Sequence, residues 1–357
     1  MAKRTRSQTD INQQLRFDIL DPSKAGGSEA AADGPSSLQQ SARTMILQSV
    51  GLKYLGRIAE LPLPKPMINM LSNQLAVDDF FVNRNDLDGD HRNYCVYPAK
   101  CLLDMSDVLL KCVPECLASE EVNAAVEQWT GVAHPNLMSY YIKFAQSGTQ
   151  IVVFEYPPFA LPDILDKLRR DNKRIPEFLI WKAFHELCSV LKYLHDQGMS
   201  YTGLKPERVA FTQEGVLKLD SGLLYLPSPG QDMMQGAAVG DSGVTGVYTS
   251  PETLKGEEIT VKNQVWILGC LLYEMAAREP AYANEGTDMF GAMANIMEGK
   301  IPTSLEGGYS EDMLLTVRDC LHSEAHARPT LEDLQARSNA KMEALVQTYA
   351  GENITSL

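Results

Sequence analysis

Residues Tyr201–Leu224 read YTGLKPERVAFTQEGVLKLDSGLL, and the rest of the chain is understood from this stretch outward. Two short apolar runs, VAF at 209–211 and VLKL at 216–219, flank TQEG, which ends on Gly215. In a strand pairing, a slip of one residue would exchange the two faces of VLKL. Ahead of these runs lie Gly203, which has no side chain to accept a proton, and Arg208, which brings a permanent cation.

The order of these residues resembles the catalytic loop of protein kinases, HRDLKxxxN followed by a hairpin and DFG. On that resemblance Tyr201, Thr202 and Gly203 stand at HRD, Leu204, Lys205 and Pro206 keep the pattern, and Arg208 takes the Asn place. In the family the loop Asp accepts the substrate hydroxyl's proton, while the Asn and the DFG Asp hold magnesium. Arg208 would put a cation where that metal belongs; two unit charges ~4 Å apart repel by about 4 kcal/mol at an effective dielectric of ~20, and a divalent ion roughly doubles this. Without a gap, Ser221, Gly222 and Leu223 stand at DFG, and the metal-binding Asp is absent. A hairpin one residue shorter would give Asp220, Ser221 and Gly222 instead. The ungapped reading is preferred because it leaves Gly215 at the usual turn position.

The resemblance covers residues 44–336, carried by HPNL at 134–137, SPE at 250–252, VWILGCLLYEM at 265–275 and ARPT at 327–330. The wording of IPE, YLH, KLDSGL and GCLLYEMAARE is closest to the NIMA-related (NEK) kinases. It implies an α+β, bilobal protein-kinase-like fold with a small β-rich N-lobe and a large, mainly helical C-lobe. The expected division is a disordered tail at 1–45, an N-lobe at 46–156 with an insertion or a rebuilt strand pair at about 61–92, a C-lobe at 157–335, and a C-terminal helical extension and tail at 336–357. LPDILDKLRRDNKRI and PEFLIWKAFHELCSVLKYLHDQG show helical periodicity. In the second, His195 is expected to be a satisfied packing histidine. Gln264 replaces the Asp that braces the catalytic loop, which predicts a weaker brace, and Arg328 is expected to pair with Glu252. Thr202 replaces the arginine that would clamp a phosphate on the activation segment.

The N-lobe departs further from the family. DVLLKCVPEC resembles the lysine-bearing strand, with Lys111 at the phosphate-contacting lysine and Leu109 crowding the adenine position. Ala125 stands where the glutamate partner of that lysine belongs, so Lys111 is read as a vestigial surface or core-edge lysine. Phe154 is the gatekeeper by resemblance, and Pro157 has no N–H to offer adenine. Ala59 falls where the first glycine of a phosphate loop might stand. The acidic turn Asp86, Asp88 and Asp90 is read as hydrated rather than calcium-binding, since Arg84 and Cys95 break the ligand pattern. Leu109 and Trp129 are expected to plug the adenine and DFG cavities.

The remaining properties constrain partners. A formal charge of −14 over 357 residues argues against nucleic acid or anionic lipid, both of which need clustered cations. Seven cysteines without a CxxC pair suggest reduced thiols in the cytoplasm. Neither a signal peptide nor a membrane-length apolar run is apparent. These observations predict a catalytically inactive pseudokinase acting as an interaction or allosteric scaffold, cytoplasmic or cytoskeleton-associated, with no metal and no cofactor. Its partner would be a protein, such as an active kinase or, as the subfamily resemblance implies, a cytoskeletal or ciliary component. Two alternatives stay open: an atypical Ser/Thr kinase using Asp220, Lys111 and Lys205 with ATP and Mg, and a nucleotide-binding switch without transfer.

Overall fold

The computed structural model describes residues 45, 52, 75–76, 79–82, 95–114, 124, 129, 131–199, 201, 203–220, 245–257, 260–282, 289–301, 305, 308–346 and 354. The chain divides into two compact units, one of residues 1–132 with 139–156, the other of residues 133–138 with 157–357. The first is rich in strands and the second mainly helical, which is the α+β, two-lobed class expected.

The β-rich unit is a five-stranded antiparallel sheet in the order β1-β2-β3-β5-β4. Its strands are β1 (Phe80–Val82), β2 (Cys95–Cys101), β3 (Asp107–Pro114), β4 (Tyr140–Gln146) and β5 (Thr149–Glu155). Side-chain alternation sorts β3 into two faces. Val108, Leu110 and Cys112 join Tyr97, Ala99, Cys101, Ile151 and Val153 in the core, while Leu109 and Lys111 face the other way with Val152 and Phe154. Pro98 lies within β2 just beyond the last β1 pair, Val82 with Ala99, where its missing N–H costs no rung with β1. Ser147 and Gly148, at φ 52° and 73°, make the two-residue turn between β4 and β5, since both must adopt the left-handed conformation.

Phe80–Val82 pairs with Phe80 opposite Cys101, so of the two readings of 61–92, an insertion or a rebuilt strand pair, the second holds for these three residues, which end the sheet among the described strands. Among the described strands, residues 83–94, with Gly89 as their one glycine, connect β1 to β2. The tail at 1–44, Ala59, Asp86, Asp88, Asp90 and Ala125 lie outside the described residues. Trp129 is half-buried, not the sealed plug expected of it.

In the helical unit, α1 (Leu161–Arg170) buries Leu161, Ile164, Leu165 and Leu168, one face at helical spacing. Pro162 starts it, and Lys167, Arg169 and Arg170 complement the dipole in its last turn. α2 (Glu177–Asp196) is the long buried helix predicted from PEFLIWKAFHELCSVLKYLHDQG. His195, on its last turn, is exposed rather than packed; the apolar stripe ends with Leu194. The short α3 (Pro251–Leu254) precedes α4 (Val261–Ala277), which is capped by Thr260 and buried on nearly every side. A Cβ on Gly269 would stand 2.6 Å from Cys320 Cβ, so glycine here permits the close approach of α4 to α6 (Glu311–Cys320). Between them in sequence lies α5 (Met289–Met297). α7 (Leu331–Leu345) opens with a capping box between Thr330 and Asp333, packs on α2, and runs without a break through the boundary placed at 335.

The expected structural ion pair is present. Arg328 Nη1 and Nη2 donate to the two Glu252 carboxylate oxygens at 2.7 and 2.8 Å, a bidentate geometry. Arg328 is almost fully buried, its Cζ lies 5.0 Å from the centroid of the Trp266 ring, and its Nε donates to the His322 carbonyl. Cys101, Cys112, Cys188, Cys270 and Cys320 are all free thiols in the interior. No helix among the described residues is long and apolar enough to cross a membrane.

Candidate functional site

The hairpin read from the sequence is formed by β7 (Val209–Phe211) and β8 (Leu217–Leu219), with Val209 opposite Leu219 and Phe211 opposite Leu217. β6 (Phe159–Ala160) pairs along β7. Gly215 has φ 73° in the turn, where its N–H donates to the Thr212 carbonyl at 2.9 Å. α2 holds this hairpin from one side: Lys182 Nζ donates to the Gly215 carbonyl and Leu217 N–H donates to Glu186 Oε2. Burial pushes the Glu186 carboxyl above the usual range, with Lys182 opposing that rise. The HPNL turn grips the other side, as Leu219 N–H donates to the Asn136 carbonyl and Asn136 Nδ2 to the Leu217 carbonyl.

Preceding the hairpin, Pro206–Arg208 forms a single 3-10 turn. Gly203 has φ 73°, a conformation that L side chains adopt only with strain. The Arg208 guanidinium lies against it, with Nη1 3.0 Å and Cζ 3.1 Å from the place a Cβ would take. Arg208 itself is buried, and its carbonyl accepts from Asp220 N–H at 2.9 Å. The two departures singled out in the sequence, a glycine and an arginine five residues apart, thus occupy one volume.

Tyr201 adds a second tie. Its buried phenol donates to the Asp220 carbonyl at 2.6 Å, linking the loop to the end of β8. Gln264 on α4 donates from Nε2 to the Tyr201 carbonyl at 3.0 Å. The brace expected to be weaker is present with its polarity reversed, since an amide donor now meets a backbone carbonyl. The sequence showed that position 264 had lost its charge but not that the amide's other half would serve. Asp220 is buried with both backbone groups engaged. Thr202, Ser221, Gly222 and Leu223 lie outside the described residues, as does the activation segment from 225 to 244.

In the β-rich unit, Leu109 stands opposite Phe154 in the β3–β5 register and is half-buried. Lys111 is 1% exposed, which corrects the surface reading. Its aliphatic stem lies on the sheet face and Nζ sits 4.9 Å from the centroid of the buried Phe154 ring, a cation–π contact the strand alternation places two residues from Leu109. Tyr140 meets the same ring edge-on at 5.9 Å. Pro157 belongs to the helical unit and is buried. His322 Nδ1 accepts a backbone bond from Glu324, and no group of three or more His, Cys, Asp or Glu among the described residues is arranged to hold a metal.

Residues 96–338 match the family model of the protein kinase domain, a span that includes the hairpin, the HPNL turn, α4 and the Glu252–Arg328 pair. The chain belongs to the protein kinase domain family. Within the family it is similar to NEK proteins that are named serine/threonine-protein kinases. It is 31% identical over 206 residues to Serine/threonine-protein kinase Nek10 of Mus musculus, covering 57% of this chain and 18% of that protein. Against G2-specific protein kinase nim-1 of Neurospora crassa the identity is 29% over 241 residues, covering 59% of this chain and 27% of the relative. Against Nek8 of Danio rerio it is 25% over 245 residues, covering 66% and 33%. The match thus spans a third or less of these relatives' length. Residues 34–72 match a second family model, the SOCS box, a signal the sequence reading missed because it treated those residues as tail, lead-in strand and insertion.

Proposed function

We propose that this kinase-family chain is a pseudokinase, a protein-binding or allosteric module that does not transfer phosphate. One observation carries the reading: the volume beside Gly203, into which a proton-accepting carboxylate would have to project, holds the Arg208 guanidinium. A base within hydrogen-bond reach of the substrate hydroxyl is what proton acceptance requires, and a guanidinium cannot serve, because it stays protonated at any physiological pH. The donor set also does not fit magnesium, since a cation replaces the amide oxygen that would coordinate it. ATP with magnesium is therefore not the expected cofactor. The partner expected is a protein, with an active kinase or a cytoskeletal or ciliary component as the leading classes.

The test uses the full chain with radiolabelled ATP and a general protein substrate, alongside thermal melts with ATP in the presence and absence of magnesium. The expected result is no incorporation and no melting shift. Incorporation abolished by Lys111→Met would overturn the proposal in favour of an atypical kinase working through Asp220, Lys111 and Lys205. A melting shift without incorporation would overturn it in favour of a nucleotide-binding switch.

A further inference from the structure

α5 reads MFGAMANIM over 289–297 and contains no charged residue, whereas each of the other α-helices named above contains at least one. The helix packs on α3 and on the turn Thr245–Tyr248, and its Ala292 and Ile296 are buried. Phe290, Met293, Ala294 and Met297 recur at i, i+3, i+4 and i+7, which puts them together on the opposite face. Phe290 is 74% exposed, more than any other large apolar side chain among the described residues; Met297 is 46% exposed, Ala294 is exposed and Met293 half-buried. Gly299, at φ 68°, follows the helix, and the first charges beyond it, Glu298 and Lys300, pair with each other at 2.9 Å. A helix that is apolar all round is ordinarily covered all round, and here the outward stripe faces solvent.

We propose that this stripe is the contact between two copies of the chain. Its pattern is complementary to itself. In an antiparallel pairing about a two-fold axis midway between positions 293 and 294, Phe290 of one copy meets Met297 of the second, and Met293 meets Ala294, so every bulky side chain faces a flexible or a small one. Charge points the same way. With a formal charge of −14 on each chain, two copies repel wherever acidic surfaces approach, and α5 offers a charge-free line of approach. Area sets the strength. The stripe runs along about 10 Å of helix, and four such side chains bury roughly a few hundred Å² per copy, below the ~800 Å² per partner of a standard interface. The dimer is therefore weak, with a dissociation constant on the order of tens of micromolar.

Sedimentation velocity on the full chain, over a dilution series reaching about ten times that constant, tests the proposal. The wild type should pass from monomer to dimer, and more readily at high salt, because screening removes the repulsion between two acidic chains and leaves an apolar contact intact. Ala294→Glu and Ala294→Lys each place a good helix former at an exposed position, so both should melt with the wild type. Each alone sets like charges beside the axis and should weaken association by more than about tenfold. Mixing the two variants in equal amounts should restore it, since opposite charges then meet, a recovery that only a contact between copies can give. A wild type that stays monomeric throughout overturns the proposal, as does a dimer that Ala294→Glu leaves unchanged or a mixture that fails to recover. Should the Ala294 variants melt early, Phe290→Ala decides by the same loss of association, and a dimer it leaves unchanged overturns the proposal.

Discussion

The Arg208 guanidinium stands 3.0 Å from the point at which a side chain on Gly203 would begin. A side chain at 203 would require the Arg208 guanidinium to shift. Gly203→Asp should destabilise the protein by about 1–3 kcal/mol, from left-handed backbone strain at φ 73° and from crowding of Arg208. It should not confer phosphate transfer. The double change Gly203→Asp with Arg208→Asn removes the crowding, so its melting temperature should lie above that of Gly203→Asp alone. A single Gly203→Asp variant that melted like the wild type would show that Arg208 yields freely.

Gln264 tests the reversed brace. Gln264→Asp, the residue type the family resemblance places at this position, should cost about 1–3 kcal/mol here, because a buried carboxylate would face the Tyr201 carbonyl with no donor between them. Chemical denaturation measures this. A gain in stability would mean that the loop backbone can turn an N–H toward α4.

The Glu252–Arg328 pair should dominate the acid response of the helical unit. Burial works to raise the Glu252 carboxyl, but the bonds from Arg328 outweigh it and hold the pKa below the ordinary value of 4.5. The folded-state pKa is depressed, so the stabilisation is complete above the unfolded value and lost as pH falls through the folded one. Glu252→Gln leaves the buried Arg328 unneutralised and should cost about 3–5 kcal/mol near neutral pH. Its urea midpoint should approach that of the wild type below the folded pKa.

Tyr248 and Glu274 should show the opposite trend. The Tyr248 hydroxyl donates to Glu274 Oε2 at 2.7 Å in the interior, and burial pushes the Glu274 carboxyl up to about 7, against the lowering effect of that bond. A raised acid favours the folded state when protonated, so this site loses stability as pH climbs from 4.5 towards 7. Removing the phenol donor with Tyr248→Phe should cost about 1 kcal/mol at pH ~5, where the carboxyl is neutral, and about 1.5–3 kcal/mol at pH ~8, where it is charged. Melting curves at the two pH values check this; equal losses would place the carboxyl's titration elsewhere.

Much of the helical unit was legible because its signals are local. The stripe Leu161, Ile164, Leu165, Leu168, the all-apolar VWILGCLL run and the turn glycine at 215 each need only a few neighbouring residues to declare a helix face, a buried helix or a hairpin. The Glu252–Arg328 pair came from resemblance, since 76 positions separate its members. The small sheet was harder to read. Its first strand has three residues, too few for an alternation to show, and Phe80–Val82 is recognisable as a strand through its pairing with β2.

The sequence by itself determined which chemical groups are present: no carboxylate at 203, a guanidinium at 208, an amide at 264, a lysine on the third strand. Tertiary structure decided what those groups touch. It laid Arg208 over Gly203, turned Gln264 toward a carbonyl and drew Lys111 off the surface onto Phe154. The reason is physical: residue type sets charge and hydrogen-bonding capacity along the chain, whereas distances between groups far apart in sequence exist only once the core has closed around them.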